Sequence, residues 1–127
     1  MRYYVLFAFC NTVNDNNKIR KGRGKMEEKI SIRDHYLWIR MPRELDHHMA
    51  SAIRDEADRK MTEDAVRDIV FDFSETEFMD SSGIGVIVGR YKKMDCLGGR
   101  VLAVHANKRI RQILCLAGLD QLVEITD

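Results

Sequence analysis

The sequence predicts an α/β fold in which helices cover a sheet. Segments whose apolar residues alternate or run together, as in buried strands, take turns with segments whose apolar residues recur at helical spacing. The connections between these segments are short, which is typical of a domain whose helices pack on the sheet built by the intervening strands. The chain has 127 residues, of which 45% are hydrophobic and 32% charged, so we expect about one soluble domain with one core.

Five strands are expected in chain order. They lie near residues 30–32, 36–41, 68–73, 100–105 and 122–125. The segment of residues 66–73, V-R-D-I-V-F-D-F, mixes alternation with a short apolar run. That pattern is typical of a mostly buried strand.

The first helix is predicted at residues 47–61, with Asp46 as its N-cap. Its apolar face is expected to consist of Ala50, Ile53, Ala57 and Met61. Its opposite face is charged and is expected to be solvated, and it carries Arg54, Asp55, Asp58 and Arg59.

Two further helices follow. The second is predicted at residues 82–95 and ends before the turn Leu97-Gly98-Gly99. Its apolar residues at helical spacing are Ile84, Ile87, Val88 and Tyr91. The third is predicted at residues 107–117 and ends at Gly118. Its inward residues are expected to be Ile110, Ile113, Leu114 and Ala117.

The most informative segment is F-M-D-S-S-G-I-G at residues 78–85, between a strand and the second helix. Either Asp80 or Ser81 can cap that helix, whose free first-turn amides favour a nearby anion. A phosphoryl group on Ser81 would suit this position, since it adds about −1.5 to −2 charges beside the positive end of a helix. Gly83 and Gly85 are expected to keep the turn slim, so that another protein's active site can approach the hydroxyl.

Taken alone, D-S-S-G favours the ordinary alternative, a helix cap, because serine is among the commonest residues at helix starts. The context changes that interpretation. The segments E-L-D-H-H (44–48), F-M-D-S-S-G-I-G-V-I-V-G-R-Y-K (78–92) and L-A-G-L-D (116–120) occur in fixed order. Together they resemble the anti-sigma factor antagonists, a family of bacterial regulatory STAS domains, and most closely the sporulation type. The resemblance covers residues 27–125.

This resemblance implies a STAS fold with a mixed sheet of four to five strands. It also implies that Ser81, directly after the aspartate, is phosphorylated by the anti-sigma factor, a serine kinase, and that Asp46 lies near this acceptor and helps to engage the kinase. The rest of the implied partner surface is Asp80, Ser82, Gly83, Ile84 and Gly85. Arg43 stands where the family usually has glycine, which puts the turn geometry beside Asp46 in question.

The implied function is that of a switch without enzymatic activity or cofactor. The unphosphorylated chain would bind the ATP- or ADP-bound anti-sigma factor and release a sigma factor, phosphorylation of Ser81 would stop binding, and a serine phosphatase would restore it. The alternative of another class is a STAS-type sensory or scaffold module of a stress-signalling assembly, without reversible phosphorylation. A nucleophilic Ser81 is disfavoured, because the chain lacks a G-x-S-x-G elbow and no motif supplies a base.

Charge, cysteines and histidines argue against several other classes of function. Residues 26–127 hold fifteen basic and nineteen acidic residues, without a basic stripe that would contact nucleic acid. Cys10, Cys96 and Cys115 lack the spacing of a zinc site or a disulfide framework, so a reducing cytoplasm is expected. The last two cysteines are expected to be structural, with Cys115 buried. The neighbouring His47 and His48 point in different directions on a helix and are poor joint metal ligands.

Each end of the chain departs from the family. Residues 1–25 form a basic extension before the domain of residues 26–127, and its apolar stretch at residues 3–9 is too short to span a membrane. We hypothesise that natural translation begins at Met26, because residues 22–24 can be encoded by a purine-rich run that resembles a ribosome-binding site. After Ile125 only two residues remain, where sporulation-type relatives continue into a final helix. The apolar sheet surface left open would be covered by the extension or by a second copy in a homodimer.

Overall fold

The computed structural model describes residues 29–126 of the chain. The predictions about the extension of residues 1–25 and about a start at Met26 lie outside the described residues.

Five strands form the main sheet, as predicted. They are β1 (Ile30–Arg33), β2 (Tyr36–Arg40), β4 (Asp68–Asp72), β6 (Val101–Val104) and β7 (Glu124–Thr126). The spatial order is β1-β2-β4-β6-β7. β1 pairs antiparallel with β2, and every other pair is parallel. The sheet is therefore mixed, and β4 at its centre is buried along its whole length.

A second, two-stranded sheet continues from the first. β3 (Glu44–Leu45) and β5 (Phe78–Met79) pair in parallel shortly after the ends of β2 and β4. Their connections are held by backbone bonds from Glu77 and Phe78 to the carbonyl oxygen of Arg43, with N···O distances of 2.8 and 3.1 Å. The sequence analysis did not predict these strands, because two residues are too few to show a periodicity.

Three α-helices follow β3, β5 and β6. They are α1 (His47–Glu63), α2 (Ser81–Leu97) and α3 (Lys108–Leu116), and a short 3₁₀ helix (Leu119–Gln121) precedes β7. Each α-helix is capped by the residue before it, and the side chains of Asp46, Asp80 and Asn107 accept backbone N–H bonds. The predicted helices are present, with ends shifted by one or two residues.

One hydrophobic core joins these helices to the sheet. Its strand residues include Leu37, Ile39, Ile69, Phe71 and Ala103. Its helix residues include Ala50, Ile53, Ala57, Met61, Val86, Ile87, Met94, Ile110 and Leu114. The predicted apolar face of α1 is thus buried in full.

Asp58 was predicted to be solvated, and this was wrong. Its side chain is 5% exposed and lies between α1 and α2. Its Oδ1 atom is 3.2 Å from Nε of Arg90 and 2.7 Å from Nζ of Lys93. The charged face of α1 is therefore not solvated throughout, because Asp58 contacts two cations of α2 instead of water.

The burial predicted for Cys115 was also wrong, since Cys96 and Cys115 are both exposed. α3 buries only Ile110 and Leu114, which are four residues apart and lie on the same face. Cys115 follows Leu114 and so turns outward. Ile113 is half-buried and Ala117 is exposed, so the inward stripe of α3 is narrower than predicted.

Candidate functional site

The parallel pairing of β3 with β5 brings two helix N-termini together. Leu45 pairs with Met79, and the backbone N–H of Asp80 donates to the carbonyl oxygen of Leu45 at 3.3 Å. Each strand is followed by one aspartate and then by a helix. α1 and α2 therefore begin side by side at the same end of the small sheet.

The two aspartates act as N-caps of these helices. Asp46 Oδ1 accepts from the backbone N–H of Met49 at 2.9 Å, and Asp80 Oδ1 accepts from that of Ser82 at 2.8 Å. Both caps have extended backbone, as an N-cap requires. The sequence left open whether Asp80 or Ser81 caps α2, and the structure assigns the cap to Asp80.

Ser81 is the first residue of α2 and is exposed. Because Asp80 supplies the cap, the Ser81 hydroxyl is not needed to satisfy the helix terminus. It lies at the positive end of the α2 dipole, with the N-terminus of α1 next to it. A group attached to this oxygen would extend into solvent beside two helix N-termini.

His47 is a site residue that the sequence analysis did not assign. It is the first residue of α1, as Ser81 is of α2, and its Nδ1 atom lies 3.4 Å from Oγ of the half-buried Ser82. The imidazole and the hydroxyl thus connect the two helix starts. The matching order D-H at residues 46–47 and D-S-S at residues 80–82 indicates that His47 lies near one of the two serines, but only once β3 is known to pair with β5.

Gly83 and Gly85, the two glycines of residues 78–85, have different surroundings. Gly83 is buried, and a Cβ added there would collide with Cγ of Met79 and lie only 2.7 Å from Cδ2 of Leu45. A Cβ at Gly85 would meet no atom within 4 Å. Gly83 therefore lets α2 approach the small sheet, a packing role that the sequence analysis did not predict. Its expected role in access to Ser81 stays a prediction. Gly85 is exposed, and Ile84 is half-buried against the core.

Arg43 is accommodated beside the site without a strained backbone. Among the described residues other than glycine, positive φ occurs at Asp34, His35 and His105 and not at Arg43. The Arg43 guanidinium pairs with Glu77, with Nε 3.0 Å from Oε1, and both side chains are largely exposed. The turn at Arg43 therefore has a conformation that arginine adopts readily.

A separate polar cleft lies at the carboxyl ends of β2, β4 and β6. It is lined by Arg40, Asp72, Ser74, His105 and Ala106. Burial alone would raise the pKa of the Asp72 carboxyl, but hydrogen bonds from Ser74 and from the Trp38 indole hold it below its ordinary value. Asp72 is thus kept ionised while it joins β4 to β2.

Across residues 29–126, the structure contains no cluster of three or more His, Cys, Asp or Glu side chains arranged to hold a metal ion. Over the same residues, no helix is both long and apolar enough to span a bilayer.

Comparisons with known proteins agree with the fold that the sequence predicted. The STAS domain family model matches residues 28–127. The chain is 34% identical over 104 residues to an anti-sigma F factor antagonist of Paenibacillus polymyxa, covering 80% of this chain and 89% of that protein. It is 31% identical over 81 residues to an anti-sigma F factor antagonist of Lysinibacillus sphaericus, covering 64% and 69% of the two chains.

Two solved structures share this architecture. The unphosphorylated anti-sigma factor antagonist SpoIIAA superposes with a TM-score of 0.70 at 27% identity, covering 77% of this chain and 86% of that one. The phosphorylated form of the Bacillus cell fate determinant SpoIIAA superposes with a TM-score of 0.64 at 27% identity, covering 77% and 89%. The predicted α/β architecture with a five-stranded mixed sheet is thereby confirmed.

Proposed function

This chain belongs to the STAS domain family, and we propose that it is an anti-sigma factor antagonist whose switch is phosphorylation of Ser81. The observation that carries the proposal is the Ser81 hydroxyl, exposed at the first position of α2 and relieved of capping by Asp80. The names of the relatives at 34% and 31% identity support the class of function. A relative solved in a phosphorylated form supports a phosphate-controlled switch.

In the active state Ser81 carries its free hydroxyl. The surface around the starts of α1 and α2 then docks on a cognate anti-sigma factor, and the bound sigma factor is released to RNA polymerase. Asp46 lies beside the acceptor surface through the pairing of β3 with β5. We expect the protein to act in the cytoplasm, and its own role in the reaction is that of substrate.

Inactivation is a phosphoryl transfer catalysed by the anti-sigma factor. The Ser81 oxygen forms a bond to the γ-phosphorus of the kinase's ATP, the bond from that phosphorus to the β–γ bridging oxygen breaks, and ADP leaves. The hydroxyl proton passes to a base of the kinase. A serine phosphatase reverses the switch by transferring the phosphoryl group to water.

The geometry gives a physical reason for release after transfer. The new phosphate adds about −1.5 to −2 charges and remains close to the phosphates of the ADP from which it came. It also lies near the carboxylates of Asp46 and Asp80, which are already engaged as caps. Like charges at short range in a closed interface are costly, so the complex is weakened although the helix termini tolerate the phosphate.

The test is to incubate the chain with ATP and each anti-sigma-type serine kinase of the same genome, followed by intact-mass measurement and peptide mapping. We expect one phosphate, on Ser81. Ser82→Ala is the matched control and should still be phosphorylated, whereas Ser81→Ala should not. Absence of modification by every candidate would overturn the proposal and favour the alternative, a STAS-type sensory or scaffold module in which Asp80 and Ser81 only begin a helix.

A further inference from the structure

We infer that Phe78 is an apolar anchor through which this chain docks on its protein partner, and that the partner presents an apolar pocket with a Lys or Arg side chain at its edge. The inference rests on the proposed function, since it places Phe78 on the same docking surface as Ser81. It adds a binding residue that neither the acceptor motif nor the capping aspartates imply.

Phe78 is a large apolar residue that lies exposed at the surface of the small sheet. Its side chain is 48% exposed, whereas Met79, the other residue of β5, is 3% exposed and belongs to the core. Opposite them on β3, Glu44 is exposed and Leu45 is buried. Because successive side chains of a strand point to opposite faces, Glu44 and Phe78 share the outer face of the small sheet. The phenyl ring of Phe78 is therefore not part of the hydrophobic core.

The position of Phe78 connects it to the acceptor. Single exposed apolar residues are common on protein surfaces, so exposure alone carries no function. Phe78 lies three residues before Ser81, in the strand that leads directly into α2. Any protein whose active site reaches the Ser81 oxygen must cover the surface around the end of β5. Aromatic residues buried near the centre of an interface contribute disproportionately to affinity.

The charges around Phe78 indicate the chemistry of the partner. Glu44 pairs in register with Phe78 and has no ion-pair partner among residues 29–126. Glu77 is already neutralised by Arg43 at 3.0 Å. Over residues 29–126 the outer face thus offers one phenyl ring beside one carboxylate that forms no ion pair, and its complement is an apolar pocket edged by a cation.

The experiment measures the dissociation constant for the kinase that phosphorylates Ser81, by calorimetric titration of wild type, Phe78→Ala and Phe78→Leu. We expect Phe78→Ala to weaken binding at least about tenfold and Phe78→Leu to weaken it less, because the leucine keeps part of the apolar contact. Leu116→Ala is the matched control, since Leu116 is 89% exposed on α3, and it should bind as wild type does. Unchanged thermal unfolding of each variant shows that binding, and not folding, was altered.

Charge reversal tests the second half of the inference. Glu44→Lys should also weaken binding at least about fivefold and reduce the dependence of affinity on salt. Asp55→Lys, on the outer face of α1, should do neither. If Ser81 is phosphorylated while Phe78→Ala or Glu44→Lys binds within about twofold of wild type, the inference is overturned and the proposed function stands. If wild type binds no anti-sigma-type kinase, the proposed function fails and the inference fails with it.

Discussion

Of the two glycines in residues 78–85, Gly83 is the one that leaves no room for a side chain. The small sheet packs so closely against the first turn of α2 that an added Cβ would meet the side chains of Met79 and Leu45. Both of those side chains are in the core, so neither can move far into solvent. The close packing of the first turn of α2 on β5, and with it the position of Ser81, therefore depends on the absence of a side chain at Gly83.

We predict that Gly83→Ala lowers the free energy of unfolding by about 1–3 kcal/mol, because the methyl group overpacks a filled site. Gly85→Ala is the matched control in the same helix. Its Cβ meets no atom within 4 Å, and replacing a helical glycine should stabilise the chain by about 0.5–1 kcal/mol. Urea unfolding of both variants measures the difference. Equal stabilities would contradict the close packing of α2 on the small sheet.

Asp72 gives the chain a predictable response to acid. Burial tends to raise the pKa of this carboxyl, but hydrogen bonds from Ser74 and Trp38 outweigh it and the folded pKa lies below the ordinary value. A carboxyl with a depressed folded pKa contributes stability that is fully present above its unfolded pKa of about 3.9. That contribution is lost as the pH falls through the folded pKa.

We predict that Asp72→Asn lowers the urea midpoint at pH 7 and flattens the decline of stability between about pH 5 and pH 3. The measurement is a series of urea unfolding curves over this range for wild type and variant. Glu75→Gln is the control, because Glu75 is half-exposed and lies 3.9 Å from Arg40 in a solvated ion pair. A decline as steep in Asp72→Asn as in wild type would show that other carboxyls govern the acid response.

Helices α1 and α2 are joined by charge as well as by apolar packing. Asp58 of α1 is shared by Arg90 and Lys93 of α2, and all three side chains are no more than 11% exposed. Removal of one member of a buried charged cluster is costly, because the remaining charges have lost water and part of their compensation. The same two helices carry His47 and Ser81 at their N-termini, so this cluster also holds these two residues in their relative position.

We predict that Asp58→Asn lowers the free energy of unfolding by about 3 kcal/mol, since the amide keeps the volume but removes the charge between Arg90 and Lys93. Asp55→Asn is the matched control on the exposed side of α1 and should change stability by less than about 0.5 kcal/mol. Thermal and urea unfolding of the two variants provide the comparison. A loss below about 1 kcal/mol for Asp58→Asn would mean that apolar contacts alone hold the helices together.

The sequence predicts the elements that have long or regular patterns. It does not predict those that depend on contacts between distant parts of the chain. Five strands and three helices follow from periodicity, and the cap Asp46 follows from its position before an apolar helix, whereas the choice between Asp80 and Ser81 as the cap of α2 needed the structure. The pairing of β3 with β5 involves only two residues on each strand, so no local pattern reports it. Without that pairing, the contact of His47 with Ser82 and the packing role of Gly83 could not be foreseen.

The predicted exposure of Asp58 and the predicted burial of Cys115 were wrong for a related reason. Asp58 looks like any other carboxylate on the polar side of a helix until α2 is placed beside α1 with its two cations. Cys115 lies in an apolar run, but the short α3 buries only one narrow stripe. In both cases the neighbouring element decides burial, and the local sequence does not identify that neighbour.

At the scale of the whole domain, the proposed phosphorylation of Ser81 would change the surface and leave the fold in place. Ser81 lies outside the core, and the capping bond of α2, at 2.8 Å, is made by Asp80 and not by the Ser81 hydroxyl. Solved relatives are known in both chemical states. The unphosphorylated and the phosphorylated forms of SpoIIAA both superpose on this chain, with TM-scores of 0.70 and 0.64.

We therefore predict that phosphorylation of Ser81, on the proposed function, shifts the unfolding midpoint by less than about 4 °C, equivalent to under about 1 kcal/mol for a domain of this size. Favourable interaction with the α2 N-terminus and repulsion from Asp46 and Asp80 are each of that order and oppose one another. Amide chemical shifts should change around β3, β5 and the first turns of α1 and α2, and remain unchanged in β1, β7 and α3. Ser81→Ala treated with the same kinase is the control. Widespread shift changes, or a large fall in the unfolding midpoint, would mean that the phosphate acts by remodelling the domain and not by altering its docking surface.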